Sequence, residues 1–504
     1  MPPSFSQTQA DLDSDVLVET PEESLLDAAS EGKLLRLAVQ SLLFVLVCVF
    51  IKLPLIPLVV LGYFLLIKVR YQLQASDLLV LWLVAVPFLG PYITIHVGGG
   101  IPDITFRRLF VLLLLFTAFS GWEGRGIRLL SNGLDYALVL FVGAGFLSMF
   151  GSIMIRTPLR VFLDALLIPC AYYFTGKRCA SRPGFMPKLF VAGVLALLAL
   201  GAIGTYEGIS GHDVLHWEGA NTHMAGTSDW RVNGPWATAE AYGTVMVMLL
   251  LFVSLHKDVY KTQLLRKRYV RLAILAGVVA VACTLTRGIW LALLAGWLVF
   301  YLRRSPKLTL SIAGFTVVLW LVLQQGILPQ LFGGLWHQRI DQTKTIYSRL
   351  ATYKSALAMF EDYPVTGVGF DTFSEMWDRF PRYRFEYNGE RSVDTPHNLF
   401  LSILAETGLV GFGAFLLLQI QVFAKASRVI RSARESLAAH NAEVMVAIAV
   451  AFLVVSLDLD FAYNADLVNK LYYLFLGVLS GLADKPRWEA PIQQSDNRRE
   501  ITIA

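Results

Sequence analysis

About fourteen apolar runs follow one another between residues 34 and 483, among them 134–155, 158–175, 188–209, 235–256, 398–423, 441–460 and 463–483. A helix of ~20 apolar residues crosses the ~30 Å hydrocarbon core of a bilayer, and several of these runs are shorter. Helices that are apolar all round must be buried in lipid or in one another. Composition agrees: 55% of residues are hydrophobic and only 16% charged, against about 25% charged in soluble chains, and mean hydropathy is +0.56. The expected fold is an all-α polytopic membrane protein of about 12–14 transmembrane helices.

The net charge of +5 does not point to nucleic acid, because Lys and Arg cluster in the short segments between apolar runs, where they set topology. With both termini cytoplasmic, Lys68, Arg70, Arg125, Arg128, Lys177, Arg178, Arg266, Lys267, Arg303, Arg304, Arg428, Arg431 and Lys485 all fall inside. Cys48, Cys170, Cys179 and Cys283 lie in or beside apolar segments with no close pair, so they read as packing residues. Residues 1–32 are acidic, the reverse of a signal peptide, and read as a disordered cytoplasmic tail. The expected order is then transmembrane helices over 33–325, an extracytoplasmic loop with amphipathic helices over 326–396, transmembrane helices over 397–483, and a second cytoplasmic tail over 484–504.

The stretch 272–302 is basic at both ends, too long for one span and short for two. A hairpin of two ~15-residue limbs, each rising about 22 Å, satisfies both constraints. Its turn, Leu285-Thr286-Arg287-Gly288, then sits below the outer surface, with Arg287 as an intramembrane charge facing a cavity or a partner. In the loop 326–396, Ile346, Leu350, Tyr353, Leu357 and Phe360 recur at helical spacing with Arg349 on the flank. That is an amphipathic helix lying on the membrane or on the bundle, ended by Asp362-Tyr363-Pro364 and by Gly367 and Gly369. Arg231 follows the other outer loop, near 210–234. If Arg231, Arg287 and Arg349 converge, their planar forks suit a diphosphate.

Asp394-Thr395-Pro396-His397-Asn398 leads into the run LSILAETGLVGFGAFLLL. Thr395 and Pro396 read as a cap and a first-turn proline, which puts His397 in the first helical turn, where the dipole favours a neutral base and attracts an anion. An interfacial histidine that merely anchors the helix is the plainer alternative.

Several of these segments resemble the O-antigen ligase and polymerase superfamily, the Wzy C-terminal family. The matching stretches are Thr286-Arg287-Gly288-Ile289-Trp290-Leu291, Ser348-Arg349-Leu350 through Asp362-Tyr363-Pro364-Val365-Thr366-Gly367-Val368-Gly369-Phe370, and Pro396-His397-Asn398 followed by Glu406-Thr407-Gly408-Leu409-Val410-Gly411. Arg231-Val232-Asn233-Gly234 is similar to the family's arginine-and-glycine element, although Pro235-Trp236-Ala237-Thr238-Ala239-Glu240 replaces the usual Asn-rich continuation. The resemblance covers roughly residues 200–420.

It implies a metal-independent, cofactor-free, inverting glycosyltransferase of GT-C-like architecture in the bacterial inner membrane, its site facing the periplasm. The implied donor is an undecaprenyl-diphosphate-linked glycan, and the acceptor a hydroxyl on a glycan or on lipid A-core. His397 would then act on the acceptor hydroxyl, while Arg231, Arg287 and Arg349 stabilise the departing lipid diphosphate and Asn398 and Glu406 contact substrate. O-antigen or exopolysaccharide polymerase, lipopolysaccharide ligase and protein O-oligosaccharyltransferase share these motifs.

Other signals are weaker. His212, His216 and His223 have metal-like spacing but no supporting carboxylate set, so local hydrogen bonding is the expected use. The stretch Trp377–Arg391, with Tyr383, Arg384, Phe385 and Tyr387, suits either sugar stacking or loop packing. Gly408 and Gly411 fit close helix packing beside Glu406, whose own role is then structural. Asp458, Asp460 and Asp466 read as an outer turn. A transporter or flippase of lipid-linked sugars would also use membrane arginines, but it would show paired halves, and no repeat of 272–302 or 398–423 is present.

Overall fold

The computed structural model describes residues 21–50, 55–89, 94–95, 104–120, 129–151, 156–182, 184–214, 231–236, 238–260, 265–305, 307, 314, 343–432, 436–458 and 467–482. Its helices are α1 (Pro21–Phe50), α2 (Ile56–Tyr71), α3 (Ala75–Ala85), α4 (Phe106–Ser120), α5 (Gly133–Ser148), α6 (Arg156–Phe162), α7 (Ile168–Ala180), α8 (Phe185–Ser210), α9 (Ala239–His256), α10 (Lys267–Cys283) and α11 (Arg287–Arg304). They continue with α12 (Thr343–Asp362), α13 (Phe373–Arg379), α14 (Leu399–Ser432), α15 (Leu437–Val455) and α16 (Val468–Gly481). The strands are two short antiparallel pairs, β1 (Thr94–Ile95) with β2 (Ile104–Thr105), and β3 (Glu386–Tyr387) with β4 (Glu390–Arg391).

The protein is an all-α polytopic membrane protein. Among the described residues seven helices are long and apolar enough to cross a bilayer, and Ala75–Phe88 and Arg287–Leu302 are shorter apolar helices. Fewer meet the length than the apolar runs suggested, because α2, α4 and α10 stop at 15–17 residues and run 308–325 lies almost wholly outside the described residues. Helix α1 begins at Pro21, within the segment expected to be a disordered tail.

α9 runs through the middle of the bundle: every described residue from Ala241 to His256 is buried. Helix α10 packs on α8 and α11 on α15, so the two limbs of the expected hairpin lean on different neighbours. The limbs are 17 and 18 residues long, each rising about 26 Å. Both limbs are thus longer than the ~15 residues expected of each.

One end of the bundle is fixed by charge. Buried Asp135, in the first turn of α5, accepts Lys177 Nζ at 2.6 Å, Tyr173 Oη at 2.6 Å and Ser480 Oγ at 2.8 Å, joining α5, α7 and α16. A buried pair this well supplied with hydrogen bonds is tolerated, and removing one partner typically costs about 3–5 kcal/mol. Helix α5 runs from this network to Ser148 at the opposite end, and there the candidate site is built.

Candidate functional site

The feature that shapes this end is a break in α14. Gly408 has φ 60° and ψ −161°, a conformation essentially restricted to glycine. The break frees backbone groups that cannot be left bare in a membrane protein. The segment after α12 supplies them: Val368 and Gly369 donate to the carbonyls of Ala405 and Glu406, each at 3.0 Å, while Leu409 and Val410 donate to Pro364 (2.8 Å) and Val365 (3.2 Å). Ser148 Oγ donates to Glu406 O at 2.7 Å and adds the end of α5 to the joint. Gly367 (φ 72°) lies directly on the Glu406–Thr407 backbone, where no Cβ fits. The two motifs, 362–369 and 406–411, are thus the two halves of one seam, and Gly408 serves the break rather than helix packing.

Glu406 belongs to the same seam. Its carboxylate accepts the Asp371 amide at 3.1 Å and the Phe373 amide at 3.2 Å, holding the start of α13. These bonds give Glu406 a structural role.

Helix α12 lies on α14 through a face of small and polar residues. Ala351, Thr352, Ser355, Ala356 and Met359 are buried, while Ile346, Leu350 and Leu357 are exposed. The apolar stripe therefore turns away from the bundle. Side-chain size explains this, since small residues let helix backbones approach closely. Ser348 Oγ donates to Arg391 O at 2.9 Å and Thr352 Oγ1 accepts the Val393 amide at 3.0 Å, so the β3–β4 hairpin is fastened to α12. Its turn is Asn388-Gly389, both at positive φ, a common two-residue hairpin turn. Within Trp377–Arg391, loop packing takes up the main aromatic groups: Trp377 Nε1 donates to Ser392 Oγ at 2.9 Å, and buried Tyr383 donates to Asp362 at 2.6 Å. Burial and Asp362 push the Tyr383 phenol up to about 12.

His397 is not in the first helical turn. Asn398 is the cap, its Oδ1 accepting the Leu401 amide at 3.1 Å and its carbonyl the Ser402 amide at 2.9 Å. His397 precedes the cap in a left-handed conformation, φ 49°. The sequence offers both Thr395-Pro396 and Asn398 as starts. Asn is among the best capping residues, and the Leu399 amide, which donates to Ser456 O at 2.8 Å, fixes the helix end beside the end of α15. His397 therefore lies beyond the reach of the dipole argument, which holds only within the first turn.

Carboxylates surround it instead. His397 interacts electrostatically with both Glu240, in the first turn of α9, and Asp458, just past α15. Asp458 is ion-paired with Arg349 of α12; their side chains are 16% and 35% exposed. Burial pushes the Asp458 carboxyl above its ordinary range, and the Arg349 guanidinium, acting the other way, does not overcome it. Glu240 is paired with Arg231, whose Nη2 donates to Glu240 Oε1 at 2.6 Å and to Thr286 Oγ1 at 2.7 Å. Thr286 precedes Arg287, the first residue of α11, which is exposed. Gly288 lies against Asp458, where an added Cβ would come within 3.0 Å of Oδ2.

Arg231, the Thr286–Gly288 turn, Arg349 and His397 are thus brought together, linked through Glu240 and Asp458. These two acids have no sequence motif of their own. Asp458 read only as part of an outer turn, and Glu240 only as part of the departure from the family pattern. Asp460, Asp466, His216 and His223 lie outside the described residues, and His212 is exposed.

The fold and this constellation define a multi-pass membrane protein that presents arginines, acids and one histidine at a single end of the helix bundle. A family model described as O-antigen ligase matches residues 272–416. The match supports the O-antigen ligase and polymerase superfamily, and with it membrane glycan transfer of that type. No curated protein matches the sequence.

Proposed function

We propose that this chain transfers or polymerises glycan from an undecaprenyl-diphosphate-linked donor to an acceptor hydroxyl, at the outer face of the bacterial inner membrane. The arrangement that supports this reading is Arg231, Arg349 and His397 linked through Glu240 and Asp458 at one end of the bundle, beside the turn that carries Arg287, within the family resemblance. Guanidinium groups suit a diphosphate because its negative charge is spread over the two non-bridging oxygens of each phosphorus, which planar donors meet better than a point charge. His397 takes the proton of the acceptor hydroxyl as that oxygen attacks the anomeric carbon from the face opposite the diphosphate, inverting the centre. The bond to the lipid diphosphate breaks, and the arginines stabilise the charge that leaves with it. Glu240 and Asp458, close enough to sense the imidazole, stabilise the imidazolium formed in that step. Diphosphate is a good leaving group, so the scheme needs neither a general acid nor a metal.

The test is a transfer assay with the full chain in nanodiscs, lipid-diphosphate-linked oligosaccharide as donor, and glycan, lipid A-core and peptide acceptors offered separately. Mass spectrometry of the product reads both the acceptor class and the new linkage. Release of lipid diphosphate coupled to an inverted glycosidic bond is the expected result. Movement of intact donor across the bilayer without bond cleavage would establish a flippase instead.

A further inference from the structure

We propose that Glu207, in the last turn of α8, is a positioning residue that holds the Arg231 turn in register with the transfer site; this rests on the reading that Arg231 serves that site. Glu207 is 1% exposed. Its Oε2 accepts the Gly234 amide at 3.0 Å and its Oε1 the Val214 amide at 3.3 Å, so one side chain grips the chain on both sides of the outer loop. Such a buried carboxylate is a costly way to fill space, and its two oxygens are both used on backbone donors.

The turn it grips is tight from every side. Val232 and Asn233 are buried, and the Trp236 amide donates to Asn233 O at 3.2 Å. Gly234 has φ 53° and lies on the Tyr242 ring, where an added Cβ would come within 2.6 Å. Tyr242 is itself fixed by its hydroxyl, which donates to Leu200 O of α8 at 2.9 Å. Arg231 is the side chain that leaves this clamped turn to reach Glu240 and Thr286. Glu207 touches neither of those partners; its effect on the site runs through the backbone of 231–234.

Four variants of the full chain test this in the nanodisc transfer assay: Glu207→Asp, Glu207→Gln, Arg231→Ala and the double variant Glu207→Asp with Arg231→Ala. Glu207→Asp keeps the charge and the burial but withdraws the carboxylate by one methylene, and should lower kcat about 10- to 100-fold with little change in KM for the acceptor. Glu207→Gln keeps an acceptor for the Gly234 amide and should retain most of the rate. The double variant should be no slower than Arg231→Ala alone, since the two residues act as one unit. Losses that multiply in the double variant would show a role independent of Arg231 and overturn the proposal, as would a Glu207→Asp protein at wild-type rate while Arg231→Ala is inactive. Full activity in Arg231→Ala would remove the underlying reading and this one together. If Glu207→Asp is not monodisperse, Gly234→Ala strains the same turn against Tyr242 and should show the same kcat loss and the same non-additivity with Arg231→Ala; multiplying losses there would overturn the proposal equally.

Discussion

Arg349 on α12 and Asp458 at the end of α15 form an ion pair that joins the segment before α14 to the helix bundle beside His397. Arg349 lies inside the stretch that matches the family model, and Asp458 lies beyond it. Asp458 therefore joins Arg231 and Glu240 as parts of the site outside the matched region, while the Thr286–Gly288 turn, Arg349 and His397 lie inside it.

Asp458 gives that site a pH dependence. Its carboxyl is held above the ordinary carboxylate range by burial, so on lowering the pH it takes up a proton before an exposed aspartate would. Protonation removes the negative partner of Arg349, and transfer should fall along an acid limb whose midpoint lies above ~3.9. Asp458→Asn carries no titrating proton and should give a lower rate without that limb. An unchanged limb in the Asn variant would assign the titration to another group.

His397 can be separated from its backbone role. At φ 49°, asparagine is tolerated where most residues are strained, so His397→Asn should keep the α14 start intact. Loss of the base should cost a factor on the order of 10²–10⁴ in transfer rate. Size-exclusion profile and thermal midpoint check the fold, and near-wild-type turnover in a well-folded His397→Asn protein would end the assignment.

Lysine in place of Arg349 or Arg287 keeps a charge but loses the planar fork. Donor handling should weaken by about 1–3 kcal/mol, the value of a charge-assisted hydrogen bond. A donor titration with each variant reads this directly. At Arg287, unchanged apparent affinity would mean that charge alone explains the residue.

Because arginines are assigned the diphosphate, chelation should not matter. Activity in EDTA should equal that in buffer. A loss that Mg²⁺ or Mn²⁺ restores would place a divalent cation in the mechanism.

The seam at Gly408 predicts a stability effect that its neighbour lacks. Gly408→Ala puts a Cβ against the Val365 carbonyl at a glycine-only backbone angle, and should destabilise by at least about 1–3 kcal/mol. Gly413→Ala, with nothing within 4 Å of the added Cβ, should not lower the thermal midpoint and should raise it slightly, alanine being the better helix former. Equal midpoints for the two variants would mean that the break is not required.

The membrane class was legible in the sequence because apolar runs are local signals, and short motifs marked Arg349, Arg287 and His397 as candidates. The acids were not: Glu240 and Asp458 matter only through what long-range packing sets beside them. The start of α14 was ambiguous between Thr395-Pro396 and Asn398, and the contact of Leu399 with Ser456, distant in sequence, fixes it. Hydrophobic periodicity finds the larger residues of α12, whereas its contact with α14 uses the small ones, Ala351, Ser355 and Ala356, which no periodic signal marks. The β3–β4 hairpin is legible in Tyr387-Asn388-Gly389-Glu390, a strong turn signal.

The bonds across the Gly408 break also set where the protein can be cut and recombined. Ala405 and Glu406 before the break and Leu409 and Val410 after it share their backbone bonding with 364–369, so by connectivity this part of α14 belongs with the segment that precedes it. A graft that exchanged acceptor preference between two such enzymes would have to carry residues 343–410 as one cassette. A junction placed at the helix start, just after His397, would divide the seam and leave its donors and acceptors from two different parents out of register.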